Sequence, residues 1–475
     1  MIVRAWLHES FSWEGLMIRR LLLLLVGLSL PAVASAGVPD WILRYEASFN
    51  HRGIPSFSRQ TGLACNVCHT AFPMLTAFGR QFKLNAYTLT GLQTIGPTET
   101  TPSPLKINLI PPVSTMLQTS FTQTSKAQPG TQNGNVEFPQ ELSVFFGEAI
   151  SPRLGTFIQI TYDGAEGTLG VDNIDLRYAN HAKVLSKRTI YGITVNNSPT
   201  VQDVWNSTPV WGFPFGSSGV APTPSGSPLI NEGLAQSVAG IGTYALWDDH
   251  LYGELSVYRS SPQGGPHPPD ATSTGIMKGV TPYWRFAYQR TFGTQYIELG
   301  TFGLASRLYP TGVTGPTDRF SDVGADLQYE RHAGKNGLGT FVVHASYIHE
   351  RQTLDATFGG GASENAKNTL NTVRADASWL TPTRWGGSVG VFSTSGTTDT
   401  LLYAPGAVTG NATGKPNSNG VIAELQFMPW INTRFSLQYV AYQKFNGGTS
   451  NYDVAVAGRS ASDNNTVYLL AWLMF

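Results

Sequence analysis

From about residue 105 onward, apolar and polar side chains alternate in short segments, and a period of two fits only an extended strand whose two faces meet different surroundings. Over residues 373–379, Val373, Ala375, Ala377 and Trp379 share one face, while Arg374, Asp376 and Ser378 share the other. Val323, Ala325, Leu327 and Tyr329 likewise oppose Asp322, Asp326, Gln328 and Glu330, and Phe341, Val343, Ala345 and Tyr347 oppose Thr340, His344 and Ser346. Alternation by itself does not say which face turns inward. The connections do. Tight turns near Ser151-Pro152-Arg153, Trp247-Asp248-Asp249-His250, Gly293-Thr294, His332 to Asn336, Pro382-Thr383-Arg384 and Pro429-Trp430-Ile431 alternate with polar loops over residues 198–229, 262–277, 354–368, 398–418 and 446–463. Short connections on one side and long ones on the other make the meander of a membrane-spanning barrel.

Composition agrees. Charged residues are 13% of the chain, against about a quarter in a soluble domain. The 31 Lys+Arg balance the 31 Asp+Glu, which leaves no basic excess for a nucleic-acid partner. The final segment, Val467 to Phe475, is apolar and closes on Phe, resembling the terminal signature of outer-membrane proteins. Trp284, Trp379, Trp430 and Tyr439 stand near segment ends, as interfacial girdles do. The expected fold is therefore all-β: a transmembrane outer-membrane β-barrel of about 16 antiparallel strands, wide enough for an open lumen.

The N-terminal part reads differently. Arg19 and Arg20 precede an apolar run from Leu21 to Leu30, then Pro31 and the small residues Ala34, Ser35 and Ala36, the pattern of a secretory signal peptide over residues 1–36. Met17 is the natural start of that pattern, so residues 1–16 read as an upstream mis-start. Cys65-Asn66-Val67-Cys68-His69 holds the two cysteines of the chain in a C-x-x-C-H motif. Thiols at i and i+3 can form thioethers to the two vinyl groups of a haem, while the next residue offers an imidazole as the proximal iron ligand. The competing readings are a redox dithiol and a short structural disulfide. Export favours haem.

So short a haem segment seldom supports itself. The expected organisation is a monohaem cytochrome c segment over 37–104, mainly α-helical, plugging the lumen of a barrel over 105–475. Phe72, Leu75, Phe78, Phe82 and Leu84 suggest a partly helical apolar face that either covers the macrocycle or docks the segment on the barrel. For a distal iron ligand the first candidate is Met116, on a strand face with Gln118, Ser120, Thr122 and Thr124. His51 and His344 follow, and a five-coordinate iron is the alternative. Arg285, Glu298, Asp326, Glu330, Arg374 and Asp376 suit either an ion path or a network bracing the plug.

The single C-x-x-C-H, the stretch Phe72-Pro73 through Phe78-Gly79 to Asn85-Ala86-Tyr87, and the C-terminal barrel together resemble the fused monohaem cytochrome c–porin proteins of the outer membrane, a family that includes iron-oxidising cytochromes. The resemblance spans essentially the whole mature chain. It implies one covalent haem c, with Cys65 and Cys68 as attachment points and His69 as proximal ligand. It further implies one-electron transfer between an extracellular donor, with Fe(II) favoured, and a periplasmic cytochrome or copper electron carrier. That is an Fe(II):cytochrome c oxidoreductase, or an electron-transfer protein without catalysis of its own. The alternatives are electron export to an extracellular acceptor and a solute porin with a haem-containing gating or sensing plug.

Overall fold

A computed structural model describes residues 55–89, 94–95, 107–108, 112–332, 339–454 and 458–475. The signal-peptide region and His51 lie outside the described residues. Sixteen long antiparallel strands close on themselves. In chain order they are β1 (Val113–Thr124), β2 (Asn135–Ser151), β3 (Leu154–Asp163), β4 (Thr168–Val184) and β5 (Lys187–Asn196). There follow β6 (Val238–Trp247), β7 (Leu251–Ser260), β8 (Thr281–Phe292), β9 (Gln295–Thr311), β10 (Asp318–His332) and β11 (Thr340–Thr353). The last are β12 (Lys367–Leu380), β13 (Trp385–Gly396), β14 (Ser418–Trp430), β15 (Thr433–Lys444) and β16 (Thr466–Met474), with β16 pairing back onto β1. A four-residue strand, Thr274–Met277, pairs with the far end of β9 and belongs to the connection between β7 and β8.

The sense of the alternation is the reverse of a soluble protein's. On β10, Val323 is 49% exposed while Glu330 is 1% exposed, and Asp322, Asp326 and Gln328 are buried with it. Val373 and Trp379 face out and Asp376 and Ser378 face in on β12; Phe341 and Tyr347 face out and His344 faces in on β11. An apolar exterior around charged interior side chains is stable only when lipid surrounds the wall. Closure also pairs every strand edge, leaving no row of unpaired amides in hydrocarbon. Connections of two to four residues join β2 to β3, β4 to β5, β6 to β7, β8 to β9, β12 to β13 and β14 to β15, all at one end. Long connections lie at the other end, although the β3–β4 and β9–β10 links there are short, spanning 164–167 and 312–317.

Two segments fill the lumen. The N-terminal plug contains α1 (Ser56–Thr61), α2 (Cys65–Cys68), a small hairpin of His69–Ala71 with Met74–Leu75, and α3 (Ala77–Leu84). Thr76 caps α3 by accepting a hydrogen bond from the Gly79 amide at 3.2 Å. The plug reaches the wall in several directions. Ser56 Oγ donates to the Gly147 carbonyl on β2 at 3.0 Å, Tyr87 to Asp175 on β4 at 2.6 Å, Arg80 to Glu330 on β10 at 2.5 Å, and Arg434 on β15 to the Phe72 carbonyl at 2.7 Å. The second segment is the 197–237 connection, which turns inward and buries Val201, Val204 and Trp205 completely.

Candidate cofactor chamber

Between the plug, the inward connection and the wall of β1–β3 and β16 lies a cavity of about 420 Å³. Ser114 and Met116 line it from the start of β1, Gly147 from late in β2 and Met474 from the chain end, so it sits toward the short-turn end of the barrel.

Cys65, Cys68 and His69 all line this cavity. The two cysteines occupy a single helical turn and both are free thiols. Burial raises the pKa of each, that of Cys68 to about 11 with the neighbouring Cys65 adding to the shift, so both are protonated at neutral pH. Ser58 Oγ lies 3.5 Å from Cys65 Sγ. The turn can pack this tightly because of Gly79: a Cβ there would run into the carbonyl of Cys68. The imidazole of His69 has Nδ1 3.3 Å from the Pro73 carbonyl. That contact makes Nδ1 the protonated nitrogen and leaves the Nε2 lone pair free to bind a metal. Burial lowers the His69 pKa to about 4, so the ring stays neutral.

Met116 lines the same cavity, 2% exposed, with Gln118 Nε2 3.6 Å from its sulfur and Met474 as its cross-strand neighbour. The strand face expected for it is intact, since Gln118, Ser120, Thr122 and Thr124 are all buried toward the lumen. The other walls are aromatic. Phe57 stacks on Tyr87 with ring centroids 5.4 Å apart and meets the edge of Phe82 at 5.0 Å; Phe145, Phe157, Trp211, Phe215 and Trp472 also line the cavity, beside the polar Glu141, Gln159 and Asp203.

The five apolar residues expected on one helical face do not share one task. Phe72, Leu75 and Phe82 line the chamber, Leu84 packs into a cluster with Ile190, Trp205 and Leu246, and Phe78 is half-buried outside the chamber lining. Phe72 and Leu75 belong to the hairpin, because Pro73 breaks the helical period before α3 begins.

Across the lumen the interior is ionic. Arg285 Nη2 lies 2.6 Å from Asp326, 3.4 Å from Glu298 and 3.4 Å from Asp203 of the inward connection. Ser207 Oγ donates to Asp326 at 2.5 Å, and Arg80 stands 4.0 Å from the centre of the Tyr296 ring. His344 Nδ1 lies 3.1 Å from Asp376. His344 is thus buried in the lumen as expected but does not line the chamber that holds Cys65. Most of the charges singled out in the sequence brace the plug and the inward connection against the wall.

The residues missed by sequence reasoning are those of the inward connection, read as a solvated loop. A usable signal was present. Val201, Val204, Trp205, Val210, Trp211, Phe213 and Phe215 are too apolar for a loop in water.

Sixteen closed strands, greasy outside and charged inside, around a plugged lumen define an outer-membrane-type β-barrel. No family model matches the chain, and no curated protein matches it in sequence. Among solved structures, in-vitro folded OmpT, an outer membrane protein of Vibrio cholerae, is 10% identical with a TM-score of 0.41, covering 80% of this chain and 100% of its own. An anion-selective porin from Comamonas acidovorans is 10% identical with a TM-score of 0.45, covering 76% and 98%. OmpF of Salmonella typhi is 13% identical with a TM-score of 0.40, covering 78% and 98%. The class rests on the strand order and apolar exterior described above.

Proposed function

We propose that this barrel is an outer-membrane electron conduit that carries one covalent haem c in the lumen chamber. The observation that carries the reading is the convergence of Cys65, Cys68, His69 and Met116 on one cavity inside a plugged barrel. The residues fit the group: two free thiols on one turn, an imidazole whose Nδ1 is already engaged, aromatic walls and a thioether. A bound haem c supplies reversible one-electron redox chemistry.

The chain's own residues do the rest. Cys65 and Cys68 would tether the group, His69, its ring oriented by the Pro73 carbonyl, would bind the iron through Nε2, and Met116 would be the candidate second ligand. Plug bonds to β2, β4, β10 and β15 oppose the passage of water and solutes. An insulating hydrocarbon layer otherwise separates an extracellular donor, for which Fe(II) is favoured, from a periplasmic cytochrome or copper carrier. A closed wall of sixteen strands is wide enough for a channel, which favours a second reading, a solute channel whose plug gates or senses. The same preparation decides between them.

The test uses the full chain reconstituted in liposomes. The wild-type protein is expected to retain haem absorbance after denaturation, to pass electrons from external Fe(II) to an enclosed acceptor, and to leak little sucrose. Replacing Cys65→Ser together with Cys68→Ser should abolish covalent haem and electron transfer. Wild-type protein without covalent haem, or rapid sucrose flux with no electron transfer, would overturn the proposal.

A further inference from the structure

Lys83 is the one Lys or Arg lining the chamber, and none of the carboxylates of the described residues lies within ion-pairing distance of it. Its Nζ donates to two carbonyls of the inward connection, Val201 at 2.6 Å and Asp203 at 2.9 Å, and stands 4.8 Å from the centre of the Trp211 ring. An ammonium has three N–H donors, so one remains for the cavity. The neighbouring carboxylates are committed elsewhere. Asp203 accepts from the amides of Trp205, Ser207 and Thr208, Asp175 from Arg177 and Tyr87, and Glu254 from Gln202, Tyr252 and Ser256. Arg177, itself paired with Asp175, adds positive charge beside Lys83. Burial lowers the Lys83 pKa to about 7 although Asp175, Asp203 and Glu254 lie near it, so its charged form is costly, and an anion in the cavity offsets that cost.

Placement on α3 points the same way. Gly79 packs on the Cys68 carbonyl, and Lys83 lies four residues on along the same helix face, a rise of about 6 Å away from the cysteines. Glu141 of β2 and Asp203 of the inward connection also line the chamber; Asp203 is already paired with Arg285 at 3.4 Å, so Lys83 is the cation left to receive an anionic group.

We infer that Lys83 is the receptor for a carboxylate in the chamber and, resting on the reading above, that this carboxylate is a propionate of the haem. Lys83 is then a positioning residue that sets the edge of the macrocycle opposite the thioethers. In its protonated form it also favours the reduced state.

The test measures midpoint potentials of the full-length protein by spectroelectrochemistry, with covalent haem checked first. Lys83→Gln can still donate to the two carbonyls but carries no charge. If Lys83 only stitches α3 to the connection, the midpoint is unchanged. If it receives a propionate, the reduced-to-oxidised ratio at fixed potential falls about tenfold, equivalent to about 59 mV for one electron, and Lys83→Arg restores most of it. In case the Gln variant fails to fold, redox-difference infrared spectra of wild type and Lys83→Arg give a second reading, since the propionate carboxylate band should move. An unmoved midpoint in folded Lys83→Gln, or an unmoved band in Lys83→Arg, overturns the inference alone. Wild type without covalent haem overturns the functional reading with it.

Discussion

The two sides of the lumen solve different problems. Against β1–β3 and β16 the interior is aromatic and sulfur-bearing, and it stays open as a chamber. Around β8–β12 it is ionic and closed, with Arg285, Arg80, Asp326, Glu298 and Glu330 locked to one another and to the inserted segments. The difference shows how a wide barrel can hold a small plug in one orientation. Apolar contact alone is non-directional, whereas a buried guanidinium must find its carboxylates in one geometry or lose several kcal/mol. The ionic side adds charged, directional ties to the plug and the inward connection; the aromatic side meets the plug through bonds such as Ser56 to Gly147 and still encloses a cavity.

Breaking the ionic side should therefore have the larger effect on stability. Arg285→Met strands Asp203, Glu298 and Asp326 without their shared cation, and removing one partner from a buried network costs about 3–5 kcal/mol. Urea unfolding in detergent should show that loss, and planar-bilayer recordings should show raised ion leak as the inward connection loosens. Unchanged stability would mean that the two sides are equivalent.

Altering the aromatic side should cost less and act locally. A Cβ at Gly147 would lie 2.7 Å from the Phe57 ring of the plug, so Gly147→Ala is an overpacking change of about 1–3 kcal/mol. It should appear as faster proteolysis of the plug with the strand content intact by circular dichroism. Loss of the barrel as well would mean that wall and plug fold as one unit.

The smallest effect belongs to an ion pair outside both regions. Lys126 and Asp463 meet at 3.3 Å, with the lysine side chain 58% exposed, and Lys126→Ala should change the unfolding free energy by at most about 0.5 kcal/mol, because water screens the pair. A cost approaching that of Arg285→Met would show that burial is not what separates the two.

Much of this was legible beforehand. Strand count, the short-turn end and the lumen face of Met116 follow from period and turn chemistry, which are local. The pairing of Arg80 with Glu330, 250 residues apart in sequence, has no local signature. The same is true of the inward path of residues 197–237: their apolar content hints at burial, but only the closed wall supplies a surface to bury against.

By itself, then, the sequence determined that the chain makes two-faced strands and that Cys65, Cys68 and His69 are presented within one short stretch, because a period of two and a C-x-x-C-H turn are properties of neighbouring residues. The tertiary structure decided that the thiols, Met116 and Lys83 face one chamber, and which lumen charges clamp the plug. Those relations exist only once sixteen strands have closed, since closure sets which distant positions share an interior and removes the water that would otherwise weaken every charge within it.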